Sequence, residues 1–301
     1  MDLGIKGKWA LVTGAGRGLG EGICRSLSQE GVRIVATSRT AMDLEQLIDS
    51  LGGSAKDHRT LPLDIAATDG PSQLVQYVHD QGIAPDIVVN NVGGNLGFTD
   101  PLGPVDEWQQ VMRLNVEVAL EINRAFIPMM RKKKWGRICH VSSISALENQ
   151  GPPAYCAAKA ALNAYVRSLG RFICADNVIL TSIMPGAVFT KDGYWDTASQ
   201  ERPDHVEKYL NERMAIRRFG RVEEISELVA FLCSEHSSFC AGSAPTKQRS
   251  TSGRFRRRVF IVIMPAGGPH TAHRSPRTVG DAVVLVGVGM AGVSVVCVHA
   301  M

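Results

Sequence analysis

Two hydrophobic periods alternate along the first 240 residues of the chain. Six short runs rich in Val, Ile and Leu read as strands buried on both faces: KWALVT (8–13), VRIVATS (32–38), RTLPLD (59–64), DIVVNN (86–91), GRICHVSS (136–143) and NVILTSIMP (177–185). Between them, apolar residues recur at helical spacing. These stretches are the segment carrying Ile23 and Leu27, MDLEQLIDSL (42–51), QLVQYVHD (73–80), a single long helix over 105–130, AYCAAKAALNAYVRSLGRFI (154–173) and VEEISELVAFLCS (222–234). Alternating strands and helices predict an α/β fold, a doubly wound parallel sheet covered on both faces. Ligands of such sheets sit beyond the carboxyl ends of the strands.

The pattern stops at Ala244, which divides a domain over 1–244 from an irregular tail over 245–301. The tail holds eight Lys/Arg and a single acid, Asp281, whereas the whole chain has 33 basic and 29 acidic residues. The domain is therefore slightly acidic and the tail strongly basic. Its abrupt bias reads as a frameshifted gene end. GRFRRR (253–258) reads as a solvated basic run, like Lys132-Lys133-Lys134, and no nucleic-acid partner is expected. AVVLVGVGMAGVSVVCV (282–298) falls short of a membrane span. VFIVIM (259–264) is strand-like and offers a replacement for a missing seventh strand. Seven scattered cysteines without a CxxC pair fit a reducing cytosol. The N-terminus has no apolar run behind a basic start, so no signal peptide and a cytoplasmic location are expected. His140, His205 and the HTAH histidines lack partners at metal spacing, so no metal site is expected.

Glycine spacing supplies the first chemistry. TGAGRGLG (13–20) joins the first strand to the first helix, where glycines permit close backbone approach and free helix N–H groups face an anion. GVGMAG (287–292) matches the dinucleotide spacing G-x-G-x-x-G more literally. It leaves too few residues for a helix and second strand, so the context excludes it. After the second strand comes Thr37-Ser38-Arg39-Thr40, without the acid that accepts from a ribose 2′-hydroxyl in NAD sites. Arg39, with Arg17 in the glycine loop, suits a 2′-phosphate instead, which favours NADP(H) over NAD(H).

Tyr155 and Lys159 stand four residues apart on the fifth helix, so they share a face. A neighbouring ammonium lowers a phenol's pKa and equips it for acid–base work near neutral pH. Ser142 and Ser143 close the preceding strand and can hold a substrate oxygen beside that phenol. Cys156 reads as a small apolar filler.

The ordered set TGAGRGLG, Asp64, NNVG (90–93), Asn115 in RLNV, VSS, YCAAK and PGAVFT (185–190) resembles the short-chain dehydrogenase/reductase family over residues 7–243. The resemblance implies a Rossmann fold and a nicotinamide-dependent oxidoreductase, closest to 3-oxoacyl-carrier-protein reductases and secondary-alcohol dehydrogenases. It makes Tyr155 the general acid–base and gives Lys159 two tasks: lowering the tyrosine pKa and binding the nicotinamide ribose. A serine would orient the substrate oxygen, and Asn115 would hold a water leading from Lys159. The spacing to tyrosine points to Ser142 and the second place in the pair to Ser143, which is favoured. Gly14, Arg17, Gly18, Leu19, Ser38 and Arg39 would hold the adenosine end, Asp64 and Ile65 the adenine, and Asn91 with Gly93 the adjacent ribose. Pro185, Gly186, Val188 and Thr190 would frame the nicotinamide.

Residues 191–218 fall where the resemblance puts a substrate lid. Tyr194, Trp195, Met214 and Ile216 either form an apolar wall for the substrate there or pack the lid onto the body. The partner expected is a small ketone or alcohol, with a family-like homo-oligomer and no membrane. The alternative to an enzyme is a catalytically weak NADP-binding protein, because the tail lacks the family's usual closing strand and leaves a sheet edge uncapped.

Overall fold

The computed structural model describes residues 1–148, 150–247, 282–289 and 292–299. In chain order the elements are β1 (Trp9–Thr13), α1 (Gly18–Gln29), β2 (Arg33–Ser38), α2 (Ala41–Ser50), β3 (Arg59–Pro62), α3 (Gly70–Asp80) and β4 (Ile87–Asn90). Then come α4 (Val105–Met112), α5 (Val118–Lys133), β5 (Gly136–Val141), α6 (Ser145–Glu148), α7 (Pro153–Ile173) and β6 (Val178–Pro185). The series continues with α8 (Tyr194–Glu201), α9 (Pro203–Arg213), α10 (Val222–Leu232), β7 (Thr246–Lys247), β8 (Ala282–Gly289) and β9 (Gly292–His299).

The main sheet runs β3-β2-β1-β4-β5-β6-β7, every pair parallel. The order reverses between β1 and β4, and the crevice at their carboxyl ends is where such sheets bind ligands. Alternate residues feed two cores. Ala10, Val12, Ile34 and Ala36 pack with Ile23 and Leu27 of α1 and with Ile225 and Val229 of α10. Leu11, Val35, Ile138 and Leu180 pack on the other face with α3, α5 and α7. The strands are thus buried twice over, which is why their sequences are continuous apolar runs.

Three expectations change. The helix over 105–130 is broken by a π turn at Arg113–Glu117, where the Asn115 side chain takes the Val111 carbonyl at 2.8 Å and loosens the helical ladder. The sheet does gain a seventh strand. Thr246–Lys247 pairs with Met184 and Pro185, a two-residue cap just past Ala244. The stretch over 282–298 is a hairpin of β8 and β9, paired antiparallel, and Gly287 and Gly292 of GVGMAG belong to those strands with no helix following. Among the described residues no helix is long and apolar enough to cross a membrane. GRFRRR, VFIVIM and the HTAH histidines lie outside the described residues.

At the opposite end of the sheet from the crevice, Arg137 opens β5 with a side chain of 0% exposure. Its guanidinium donates to the carbonyls of Ser234 (2.9 Å), Gly136 (2.9 Å) and Asn177 (3.1 Å) and lies over the Trp135 ring at 4.6 Å. It fastens the end of α10 to the β5–β6 pair. Arg137→Met removes these bonds and the ion pair with Glu235, and is expected to lower stability by about 2–4 kcal/mol in a urea titration.

Candidate active site

The turn from β1 into α1 is shaped by what cannot fit there. Gly14 and Gly18 take φ of +64° and +59°, in the left-handed region that favours glycine. A Cβ on Gly20 would lie 2.0 Å from the Gly14 carbonyl oxygen, and one on Gly16 would lie 2.7 Å from Ser38 Oγ. Thr13 and Asn91 lock this turn to β4. The backbone N–H groups of Asn91 and Val92 donate to Thr13 Oγ1 at 3.1 and 3.2 Å. The Asn91 amide donates to the Thr13 and Gly14 carbonyls at 3.0 and 3.1 Å. Asn91 therefore spends its N–H donors on shaping the loop.

The predicted adenosine-end residues gather around this turn. Arg17 precedes α1 in extended conformation and is exposed. Arg39 is exposed just past β2, and among the described residues neither arginine is in an ion pair. Leu19 packs into the core behind the loop. Gly18 faces Thr190, whose Cγ2 would meet an added Cβ at 3.3 Å, so the segment after β6 closes the other side of the groove. On that segment Val188 bridges to Gly220. Asp64 lies just beyond β3, exposed, and accepts from the Ala66 N–H at 3.0 Å; Ile65 is buried. A glycine turn closed to side chains, an open helix N-terminus and two unpaired arginines fit a phosphate-bearing dinucleotide.

The second cluster lies at the ends of β4 and β5. Lys159 is 2% exposed; its ammonium donates to the Val141 carbonyl at 2.9 Å and sits 5.7 Å from the Tyr155 ring centroid. Burial pulls its pKa down to about 8. Asn115, 1% exposed, donates to the carbonyls of Gly94 and Val111 and accepts from the Gly94 N–H at 3.0 Å. Gly93 lies between the two: a Cβ there would be 2.6 Å from Lys159 Nζ and 2.7 Å from Asn115 Oδ1. Burial, the largest influence, raises the Tyr155 phenol above its ordinary value, while hydrogen bonding with Ser143 works against it. The lowering expected from Lys159 is not found: burial sets the direction, and the opposing influence comes from Ser143. The serines separate by direction. Ser142 Oγ donates into the helix, to the Lys159 carbonyl at 3.3 Å, whereas Ser143 lines a cavity together with Tyr155.

That cavity, of about 880 Å³, is roofed by α8 and α9 and also lined by Gly186 and Ala187 after β6. Pro185 stays in the strand, its carbonyl accepting from the Ile144 N–H at 3.0 Å. Tyr194 and Trp195 line the cavity; Met214 and Ile216 do not. Met214 is buried in the body and Ile216 is 49% exposed. Sequence reasoning missed Glu148, Gln150 and Tyr209, which join the lining from the end of α6, the loop before α7 and α9. No local motif marks them. Thr13, the first letter of the glycine motif, carried a signal that the spacing argument passed over.

Gly93→Ala forces Lys159 and Asn115 apart. It is expected to cut turnover by about tenfold or more while the circular-dichroism spectrum stays unchanged, because small displacements of a catalytic group cost rate steeply.

Comparison with known proteins agrees with this geometry. Residues 8–197 match the family model described as short chain dehydrogenase. The chain is 28% identical over 242 residues to the 3-oxoacyl-acyl-carrier-protein reductase FabG of Pseudomonas aeruginosa, covering 80% of this chain and 96% of that protein. L-sorbose reductase from Gluconobacter frateurii, solved with NADPH and L-sorbose, superposes with a TM-score of 0.77 at 30% identity, over 85% of this chain and all of that one. A 7α-hydroxysteroid dehydrogenase solved with NADH and a 7-oxo bile acid gives a TM-score of 0.73 at 27% identity, over 82% of this chain and 94% of that one. A Rossmann sheet, a glycine turn at its switch point and a Ser–Tyr–Lys cluster beside it accompany a family match over most of the body: the chain belongs to the short-chain dehydrogenase family and is a nicotinamide-dependent oxidoreductase.

Proposed function

We propose that the chain uses NADP(H) in preference to NAD(H) and interconverts a ketone and a secondary alcohol. The observation that carries this reading is the shared cavity wall of Ser143 and Tyr155, with the Lys159 ammonium buried behind them. When bound, the nicotinamide supplies or accepts the hydride. Ser143 holds the substrate oxygen against Tyr155. In the reducing direction Tyr155 gives its proton to that oxygen as the hydride reaches the carbonyl carbon; in the oxidising direction its phenolate takes the proton back. Burial keeps the Tyr155 phenol protonated, which suits the acid. Lys159 holds positive charge where a phenolate forms. Gly14, Gly18 and the α1 N-terminus take the pyrophosphate, Arg17, Ser38 and Arg39 the 2′-phosphate, Asp64 and Ile65 the adenine. Gly93, Pro185, Gly186, Val188 and Thr190 line the nicotinamide side. Cys24, Cys139, Cys156, Cys174, Cys233 and Cys240 are free thiols, which supports a reducing, cytoplasmic setting. The weak-binder alternative rests on the altered C-terminus; the assembled Ser143, Tyr155, Lys159 and Asn115 favour the enzyme.

NADPH oxidation in the presence of a ketone tests this directly. Tyr155→Phe is expected to lose about 10²–10⁴ in kcat with NADPH affinity retained. Arg39→Ala is expected to weaken NADPH binding roughly 10–100-fold and NADH binding little; equal losses for both cofactors would refute the 2′-phosphate assignment.

The pH profile follows from Lys159. Below its value of about 8 the amine is charged, above it neutral. Reductive kcat/KM, which reports the free enzyme, should be level near neutrality and fall above pH about 8. Lys159→Arg keeps its charge and should lose that limb; persistence of the limb would assign it elsewhere.

A further inference from the structure

We propose that the cavity takes a polyhydroxylated carbonyl compound and its polyol, a sugar-like substrate, and not a long acyl chain. This rests on the oxidoreductase reading above and names the substrate class of the same site.

The lining is the first reason. Ile144, Pro152 and Ala187 are the aliphatic side chains among the cavity's described lining residues; its other apolar surface is aromatic, from Tyr155, Tyr194, Trp195 and Tyr209, and charged side chains such as Glu148 and Lys208 stand beside them. The apolar wall that Met214 and Ile216 would have built is absent from it. A hydrocarbon chain placed here would strip water from polar groups and offer no partner in return. A chain of hydroxyls replaces that water group for group.

The second reason is that the polar wall is organised. Gln150 stands between a carboxylate and a phenol: its Nε2 donates to Glu148 Oε2 at 2.6 Å, and its Oε1 accepts from the Tyr209 hydroxyl at 3.3 Å. Ser143 Oγ donates to Ser145 Oγ at 3.1 Å, and Ser145 Oγ donates to the Gln150 carbonyl at 2.6 Å. One hydrogen-bonded run thus leads from the serine beside Tyr155 to the roof of the cavity. Its members hold one another in place, so a polar wall is fixed before a run of secondary hydroxyls arrives. Across the cavity Asn95 and Thr99 supply further polar groups.

The third reason is the roof. Trp195 is fixed by Tyr209 at 4.3 Å and Phe219 at 5.0 Å between ring centroids. Rings held in this way offer a rigid face to the C–H side of a short ligand whose hydroxyls point to the opposite wall.

The test uses the full chain with NADPH and a panel of L-sorbose, D-fructose, 2-octanone and acetoacetyl-coenzyme A, with sorbitol and NADP for the reverse direction. The expected result is a kcat/KM for a ketose at least about tenfold above that for 2-octanone and the thioester. Gln150→Leu and, separately, Tyr209→Phe are expected to raise the ketose KM by about tenfold and to lower the ketose-to-octanone ratio. Quenching of tryptophan fluorescence by the ketose should weaken in parallel, which a merely structural role would not produce at unchanged Tm. Reduction of 2-octanone or the thioester in preference to every ketose overturns the substrate class and leaves the oxidoreductase reading standing. No turnover of any compound in either direction overturns both.

Discussion

The site depends on keeping one ammonium almost out of water. Lys159 is 2% exposed, and a buried charge is costly unless the protein replaces its hydration. The Val141 carbonyl does part of this at 2.9 Å. That carbonyl lies one residue past the last β4–β5 pair, Asn90 with His140, where β4 has ended. The i, i+4 spacing on α7 then sets the ammonium under Tyr155. Gly93 completes the arrangement by having no side chain, so that Lys159 and Asn115 both reach the space a Cβ would fill. The end of a strand, the start of a helix and one missing Cβ are jointly needed for one charge.

The same economy governs the glycine turn. Parallel strands leave polar backbone groups at their carboxyl ends, and in this fold those groups satisfy each other across the β1–β4 switch. Thr13 Oγ1 accepts from two N–H groups of the next loop, and the Asn91 amide returns to two carbonyls of the first. With its own donors and acceptors occupied, the loop holds its shape before any ligand arrives, which is the condition for binding without an ordering cost.

The cavity joins this rigid floor to a roof built from other material. The floor groups sit on strand ends and the first turn of α7; the roof groups sit on α8 and α9, which follow β6 and carry mostly exposed polar residues. The Tyr209 to Gln150 hydrogen bond links the two. The Ser143, Tyr155 and Lys159 cluster is thus held by the sheet and α7, whereas the roof rests on helices that the sheet constrains little.

Much of this was legible in the sequence because it is local. Strand runs, helical spacing, the TGAGRGLG turn and the Tyr155–Lys159 pair each follow from steric or periodic rules acting within a few residues. Boundaries shifted where a side chain competed with the backbone, as at Asn115, which opened a π turn inside a stretch whose periodicity read as one helix. The two-residue β7 escaped notice because Thr246 and Lys247 have no strand signature and owe their conformation to the β6 edge. Ser143 was favoured over Ser142 by its place in the pair, but adjacent residues at a strand end differ in direction, and the packed chain is what turns Ser143 to the cavity. The same holds for Gln150 and Tyr209, which are 59 residues apart and meet only once the chain is packed. The sheet, its ligand-binding end and the pairing of Tyr155 with Lys159 could be read from the chain, because these rest on short-range geometry. The burial of Lys159, the place of Gly93 between Lys159 and Asn115 and the set of side chains around the cavity came with the packed fold, because burial and distance between remote residues are properties of the packed chain.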